Sequence, residues 1–360
     1  MFVCSQKVLK FIFVCSIIIR RRCKGTQDYT AAIRIKMKKA DSMKTVFIIN
    51  PSAGQGCNEN LIEKILGLSQ ENTEAYITRF PGDATEYVRS FCQKHDKARF
   101  IACGGDGTLN EVLNGVVGFE NAEIGIIPSG TGNDFCRNFE PHSPFCDISA
   151  QINGERIKCD AIKYTTETDL GTTSGYCVNM FNIGFDCNVA ALTAQMKKKP
   201  FISGSLAYLI SIFVTLIKKK GANLKIEIDG KERHSGKLLL TSIANGCFCG
   251  GGIKSNPTAS VCDGKISINI IKNISRIRFL TLLPYYMKGT FTKIKNIEKI
   301  ITSEKCSEIV LTPLDGKMKI CVDGEIADAG KTKFEICRDA FNFVLPQKEK
   351  RQELLYKNIN

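Results

Sequence analysis

An α/β domain followed by a β-rich one is the fold class that three features of the sequence predict. From Met43 to about Phe139, apolar runs of strand length alternate with amphipathic helical stretches. Beyond that the helical spacing fades, and short β-type runs follow one another with Asp-Gly turn signals at 229–230, 263–264, 315–316 and 323–324. Length agrees, since 360 residues at roughly 100–200 per domain make two cores.

In the first domain, 44–50 (KTVFIIN) is an apolar run stopped by Asn50-Pro51. Leu61, Ile62, Ile65, Leu66 and Leu68 mark one face of a helix over 58–68. A strand follows over 75–80, then a helix over 83–95 with Tyr87, Val88 and Phe91 inward. Next come a strand over 99–103, a helix over 109–117 and a strand over 123–127. This alternation means a parallel sheet with right-handed crossovers, which binds ligands at the carboxyl ends of its strands. In the second domain strands are expected over 155–164, 175–184, 223–229, 236–244, 265–271, 308–312, 318–322, 333–337 and 341–345, as a sandwich with a cleft between the domains. Two helices interrupt it: 204–216, apolar all round but too short to span a bilayer, and 276–288, which Pro284 should kink or end. The expected divisions are an extension over 1–42, an α/β nucleotide-binding domain over 43–139 and a β-rich domain over 140–327. C-terminal strands over 328–346 can return to the first domain, and a polar tail covers 347–360.

Composition narrows the function. With 43% hydrophobic and 24% charged residues, a disordered, collagen-like or polytopic membrane chain is excluded. The 17 cysteines are scattered, odd in number and free of any C-x-x-C, the pattern of a reducing compartment. Charge is uneven. Residues 1–42 hold ten Lys or Arg and two Asp, more than half of the net +14. The apolar stretch over 8–19 is too short to span a bilayer and its arginines follow it, unlike a signal peptide. It reads either as sequence upstream of a start at Met43 or as a weak basic arm touching membrane. Without it the surplus is small and no nucleic-acid-reading motif appears, so no nucleic-acid partner is expected.

The informative residues follow the parallel strands: Asn50-Pro51-Ser52-Ala53-Gly54, Gly104-Gly105-Asp106-Gly107-Thr108, and Pro128-Ser129-Gly130-Thr131-Gly132-Asn133-Asp134. Glycines let backbone N–H groups approach phosphate oxygens, and a following helix adds its N-terminal dipole. Ser52, Thr108 and Thr131 add hydroxyls, and Asp106 a carboxylate for Mg²⁺. Neither the P-loop nor the G-x-G-x-x-G pattern is present. Each turn alone is weak; three on one sheet edge predict a polyphosphate site.

FIINPSAGQG, IACGGDGTLNEVLNGV and IGIIPSGTGNDFCRNF, with TRFPGDATEYV at 78–88, resemble the soluble bacterial diacylglycerol kinases and their wider lipid kinase family, including sphingosine kinases. Gly-Gly-Asp-Gly-Thr is shared with NAD kinases, so the Asn-Pro opening and Pro-Ser-Gly-Thr-Gly-Asn-Asp-Phe carry the distinction. The resemblance implies ATP and Mg²⁺ as cofactors and transfer of the γ-phosphoryl group to a neutral lipid, diacylglycerol giving phosphatidic acid. A sphingoid base or other lipid comes next, then a non-catalytic nucleotide- or lipid-binding regulator, or an NAD kinase. Nucleotide contacts carry over to Asn50, Pro51, Ser52, Ala53, Gly54, Thr78, Gly104, Gly105, Asp106, Gly107, Thr108, Leu109, Asn110, Glu111 and Thr131. The catalytic base falls on Asp323 in Asp323-Gly324-Glu325, with Glu325 and Asp106 beside it. By local sequence alone Asp323 is a hairpin residue.

A structural Mg²⁺ is implied on Ser260, Asp263 and Lys265, the outer two through their carbonyls. Cys262 and Thr258 stand where many relatives are acidic, which weakens that site. Lys197, Lys198 and Lys199 with Lys218, Lys219 and Lys220 flank the apolar 201–217, an arrangement suited to anionic lipid headgroups. The expected setting is cytoplasmic and peripheral to the membrane, with homodimerisation left open.

Overall fold

A computed structural model describes residues 43–53, 59–67, 72–139, 143–185, 187–189, 192 and 221–346. The extension, Gly54, the apolar 201–217 with its flanking lysines, the helix expected over 204–216 and the tail lie outside the described residues.

Four apolar runs build the parallel part: β1 (Lys44–Ile49), β2 (Thr73–Ile77), β3 (Ala98–Gly104) and β4 (Ala122–Pro128). β1 lies between β2 and β3, and β4 adds to the far side of β3, all parallel. Parallel neighbours need crossovers, and α1 (Glu59–Leu66), α2 (Asp83–Cys92) and α3 (Asp106–Val116) provide them. Val88 and Phe91 of α2 and Leu109, Val112, Leu113 and Val116 of α3 are spaced three or four apart. They share one core with Val46, Ile48, Phe100, Ile124 and Ile126. α3 begins at Asp106, three residues before the expected start. Leu109 N–H donates to Gly105 O at 3.1 Å, so Asp106-Gly107-Thr108 is its first turn.

After the short helix α4 (Ile148–Ile152) the chain is mostly antiparallel. The strands are β5 (Glu155–Thr168), β6 (Gly171–Cys177), β7 (Met180–Gly184), β8 (Ala222–Ile228), β9 (Lys231–Ala244), β10 (Ile266–Lys272), β11 (Ile301–Cys306), β12 (Glu308–Pro313), β13 (Met318–Val322), β14 (Glu325–Ala329) and β15 (Thr332–Leu345). Hydrogen bonding runs in the order β14-β13-β7-β9-β8-β12-β15-β4-β3-β1-β2. β10 and β11 continue from β9, and β5 and β6 branch from β15. β15 pairs with β5 from Thr332↔Thr166 to Leu345↔Glu155, and its last residues run parallel to β4 at Asn342↔Glu123. One strand therefore belongs to both parts of the molecule. Phe181, Ile183, Leu224, Ile226, Ile309, Ile320 and Phe334 form a second core, and a third lies beneath α5 (Arg276–Met287).

Several expectations need correction. The strand expected over 175–184 is two, β6 and β7, with different partners. The break falls where side chains take the backbone groups: Asp323 accepts from Val178 N–H, and Asn245 Nδ2 donates to Val178 O. The strands expected over 333–337 and 341–345 are one strand with a bulge, at which Asp339 has φ 50°. β11 and β14 escape notice because ITSEKC and EIADA lack an apolar run. α5 continues three residues past Pro284 and ends at Met287, as a proline that removes a helical N–H near the end of a helix allows. Among the described residues no helix is long and apolar enough to cross a membrane.

Candidate active site

The carboxyl ends of the parallel strands are stitched together by main-chain bonds. Asn50 N–H donates to Cys103 O at 3.0 Å, Thr78 N–H to Ile49 O at 2.9 Å, and Ser129 N–H to Gly104 O at 2.9 Å. Side chains add to this: Asn50 Nδ2 donates to Thr108 Oγ1 at 3.1 Å, and Asn50 Oδ1 accepts from Ser52 N–H at 2.9 Å. The three predicted turns thus open on one edge. Contact restricts two glycines here: a Cβ on Gly104 would overlap the Thr108 side chain, and one on Gly105 would sit a tight 3.1 Å from Gly130 Cα. Asn133 closes its own turn, accepting from Gly130 N–H at 3.0 Å and donating to Gly130 O at 2.8 Å.

Carboxylates gather around these turns. Asp106 Oδ1 accepts from Phe135 N–H at 3.1 Å, while a Cβ on Gly132 would sit 3.0 Å from both Asp106 Oδ2 and Asp134 Oδ2. Asp134, which sequence reasoning did not single out as a site residue, accepts from Gly251 N–H at 2.9 Å and Gly252 N–H at 2.7 Å. It joins the third turn to a loop about 120 residues away, a link that no local pattern signals. Burial pushes its carboxyl up to about 6, against the Gly251 N–H and with Asp106's charge adding to the rise.

Asp323 reaches the same region from the β-rich part. Asp323 and Gly324, at φ 45° and 98°, form the two-residue turn joining β13 to β14, where Val322 pairs with Glu325. It is a hairpin residue, but its carboxylate turns inward. Oδ1 accepts from Met180 N–H at 2.8 Å and Oδ2 from Val178 N–H at 3.0 Å, and the buried Cys177 thiol donates as well. Desolvation outweighs those bonds and, with Asp106's negative charge, pushes the carboxyl up to about 7. Glu325 Oε1 lies 3.5 Å from where a Cβ on Gly107 would be, at the start of α3, where the helix dipole favours an acid.

The remaining predicted residues divide. Ser52 and Thr131 are exposed at the edge, and Pro51 and Ala53 stand beside them. Thr78 is present too, its hydroxyl donating to Ile49 O at 3.3 Å. Among the described residues Asn110 Oδ1 is buried with no hydrogen-bond partner. Leu109 is wholly buried in the first core, so its side chain is a packing residue. Glu111 accepts from Ala84 N–H at 3.3 Å, so its carboxylate is engaged at the first turn of α2.

The trio Ser260, Asp263 and Lys265 does not fit a metal. Asp263 Oδ2 pairs with Lys305 Nζ at 2.5 Å, and Oδ1 accepts from Lys265 N–H at 3.1 Å. The turn is further held by Asp160, which accepts from Gly264 N–H at 2.6 Å and Asp339 N–H at 2.9 Å. An ammonium already supplies the positive charge, and among the described residues no three His, Cys, Asp or Glu side chains form a metal cluster. A chelator is therefore expected to leave the melting temperature of the nucleotide-free protein unchanged. Lys305→Ala, which removes a partly exposed ion pair, should cost less than about 1 kcal/mol. Differential scanning calorimetry with EDTA checks this, and a fall of several degrees would restore the metal.

A sequence profile of the diacylglycerol kinase catalytic domain matches residues 44–164. One described as the YegS C-terminal NAD kinase beta sandwich-like domain matches residues 179–345. Curated relatives named diacylglycerol kinase include one from Staphylococcus aureus (strain bovine RF122 / ET3-1), 30% identical over 285 residues, 77% of this chain and 84% of that one. Another, from Bacillus subtilis (strain 168), is 27% identical over 315 residues, 85% of this chain and 97% of that one. Among solved structures, a diacylglycerol kinase from Bacillus anthracis str. Sterne shares the fold with a TM-score of 0.59 at 20% identity, covering 86% of this chain and 99% of that one. A parallel sheet with glycine turns at its carboxyl edge, continued into a β-sandwich, is the architecture of a lipid kinase. The chain belongs to the diacylglycerol kinase family.

Proposed function

We propose that this lipid kinase transfers the γ-phosphoryl group of ATP to the hydroxyl of diacylglycerol, giving phosphatidic acid, at the surface of the membrane. The observation that carries this reading is the inward-turned Asp323 carboxylate with its pKa near 7, opposite the Gly-Gly-Asp-Gly-Thr turn. An acceptor hydroxyl must lose a proton as it attacks, and a base works best when its pKa lies near the working pH. The main-chain N–H groups of the three turns and the start of α3 suit phosphate oxygens. Asn110 Oδ1 remains as an acceptor for a donor group of the nucleotide. Asp106, with one oxygen facing Gly132, suits a Mg²⁺ held by one carboxylate and by phosphates. ATP supplies the transferred group when bound, and Mg²⁺ offsets its charge. Asp323 takes the hydroxyl proton, and Glu325 extends the acidic edge towards Gly107. The partners in this reading are a neutral lipid substrate and the anionic headgroups around it, with no nucleic acid and a peripheral, cytoplasmic placement.

The test is transfer of labelled γ-phosphate to diacylglycerol, monoacylglycerol, a sphingoid base, ceramide and a polyprenol in mixed micelles. Label on diacylglycerol is expected. Label on a sphingoid base alone would move the acceptor, and label on none of these lipids, with label on NAD in a parallel reaction, would overturn the reading. Because Asp323 acts deprotonated and its pKa is raised, kcat should climb with pH through about 7 and then level. A flat profile from pH 5 to 9 would remove Asp323 from the proton transfer, since an unshifted carboxylate titrates near 4.

A further inference from the structure

Two thiols that the lipid kinase chemistry leaves unused meet at the corner where β5, β15 and the turn over 260–265 come together. Cys159 of β5 is wholly buried in the first core, the usual place for a cysteine that packs as a small hydrophobe. Cys262 of the turn is exposed, although it stands beside the buried Val261. Their Sγ atoms lie 3.7 Å apart, while 103 positions separate them along the chain. The backbone fixes this approach. Asp160 N–H donates to Val261 O at 2.7 Å, and each cysteine is one residue away from that bond. Asp160 also closes the corner through its side chain, accepting from Gly264 N–H at 2.6 Å and from Asp339 N–H, at the bulge of β15, at 2.9 Å. Hydrogen bonds to one aspartate therefore hold a joint on which three segments converge.

A buried thiol in contact with an exposed one divides the work of disulfide formation. Cys262 stands open to a reagent in solvent. Cys159, shielded from that reagent, is within reach to resolve what forms there. A disulfide needs its sulfurs about 2.05 Å apart, so the pair must close from thiol contact. The exposed turn is the partner that moves, since Cys159 is fixed by its pairing with Phe341 in the strand ladder. Resting thiols agree with the reducing setting that the scattered cysteines imply, where disulfides are transient and redox-sensing.

We propose that Cys159 and Cys262 form a redox-active site whose substrate is a small-molecule disulfide, and that its oxidation staples the turn to β5. The Cys262 thiolate attacks one sulfur of the reagent. The mixed Sγ–S bond forms as the reagent's own S–S bond breaks, and the first small thiol leaves with the proton that Cys262 shed. Cys159 then gives up its proton and attacks Cys262 Sγ. The Sγ–Sγ bond forms, the mixed bond breaks, and the second small thiol leaves with that proton. The pair loses two electrons, and the reagent gains them as it becomes two thiols. Neither the site nor its oxidation depends on the phosphoryl-transfer reading.

The test exposes the folded full chain to glutathione disulfide, alkylates the remaining thiols and maps the peptides by mass. Wild type is expected to yield a linked peptide pair carrying Cys159 and Cys262, two hydrogens lighter than the separate peptides and released by dithiothreitol. Once it forms, the Gly264 and Asp339 amides that donate to Asp160 should exchange with deuterium more slowly. Cys159→Ser should stop at the mixed disulfide, with one glutathione held on Cys262. Cys262→Ser should leave Cys159 a free thiol. That second variant alters an exposed side chain, so it holds the test even if Cys159→Ser melts early. Wild type that keeps glutathione on Cys262 while Cys159 stays free overturns the proposal. So does a Cys159–Cys262 bond that appears only after the chain is unfolded in urea, or a folded Cys262→Ser whose Cys159 reacts at the wild-type rate.

Discussion

Asp323→Asn is expected to slow phosphoryl transfer by about 10²–10⁴-fold, the range for loss of a positioned general base. The hairpin should survive, because Asn accepts the positive φ that position 323 requires. The polar contacts will not survive intact. The carboxylate accepts from two N–H groups, Val178 and Met180, whereas Asn offers one oxygen and sets its NH₂ against the other donor. Leaving a buried N–H unpaired costs about 1–3 kcal/mol, partly offset by removing a charge that burial and Asp106 already disfavour. The rate loss should therefore far exceed any loss attributable to stability, and nucleotide affinity should hardly move. Glu325→Gln, on an exposed side chain, should lose less. A turn residue without chemical duty predicts nearly wild-type turnover instead. Transfer by Asp323→Asn at more than about a tenth of the wild-type rate would rule out the base, given that range.

Gly105→Val should abolish productive nucleotide binding, lowering kcat/KM for ATP by about 10²-fold or more, the scale of an ångström's misplacement at a reacting centre. Backbone strain is not the cause. Gly105 is extended, at φ −98° and ψ −166°, where valine is at ease. The obstacle is steric, since its Cβ alone would lie 3.1 Å from Gly130 Cα and the two methyls would reach further. The first helical turn of α3 and the turn after β4 must then separate, carrying their N–H groups off the positions that phosphate oxygens would use. Titration of a non-hydrolysable ATP analogue into folded Gly105→Val checks this. Unchanged affinity would place the nucleotide elsewhere.

Much of this arrangement is legible without coordinates. The alternation from KTVFIIN through IACGGDGT to IGIIPSG determines a parallel sheet, because continuous apolar runs make strands buried on both faces and apolar residues spaced three or four apart make the helices that cover them. Glycines at the strand ends then fall on one edge by topology alone. The Asp-Gly pair at 323–324 determines a two-residue hairpin, since few other residues take positive φ cheaply. Which way the Asp323 carboxylate faces is another matter, decided by Val178 and Met180, about 145 residues earlier, where β6 and β7 part and leave two N–H groups unpaired. In the same way Lys305, 42 residues beyond Asp263, claims the carboxylate that the turn over 260–265 offers to a metal. Asp134 binds Gly251 and Gly252 across a comparable gap. Backbone periodicity is local and can be read along the chain. The partner of a buried carboxylate is whichever donor the packing brings within 3 Å, and only the tertiary structure decides that.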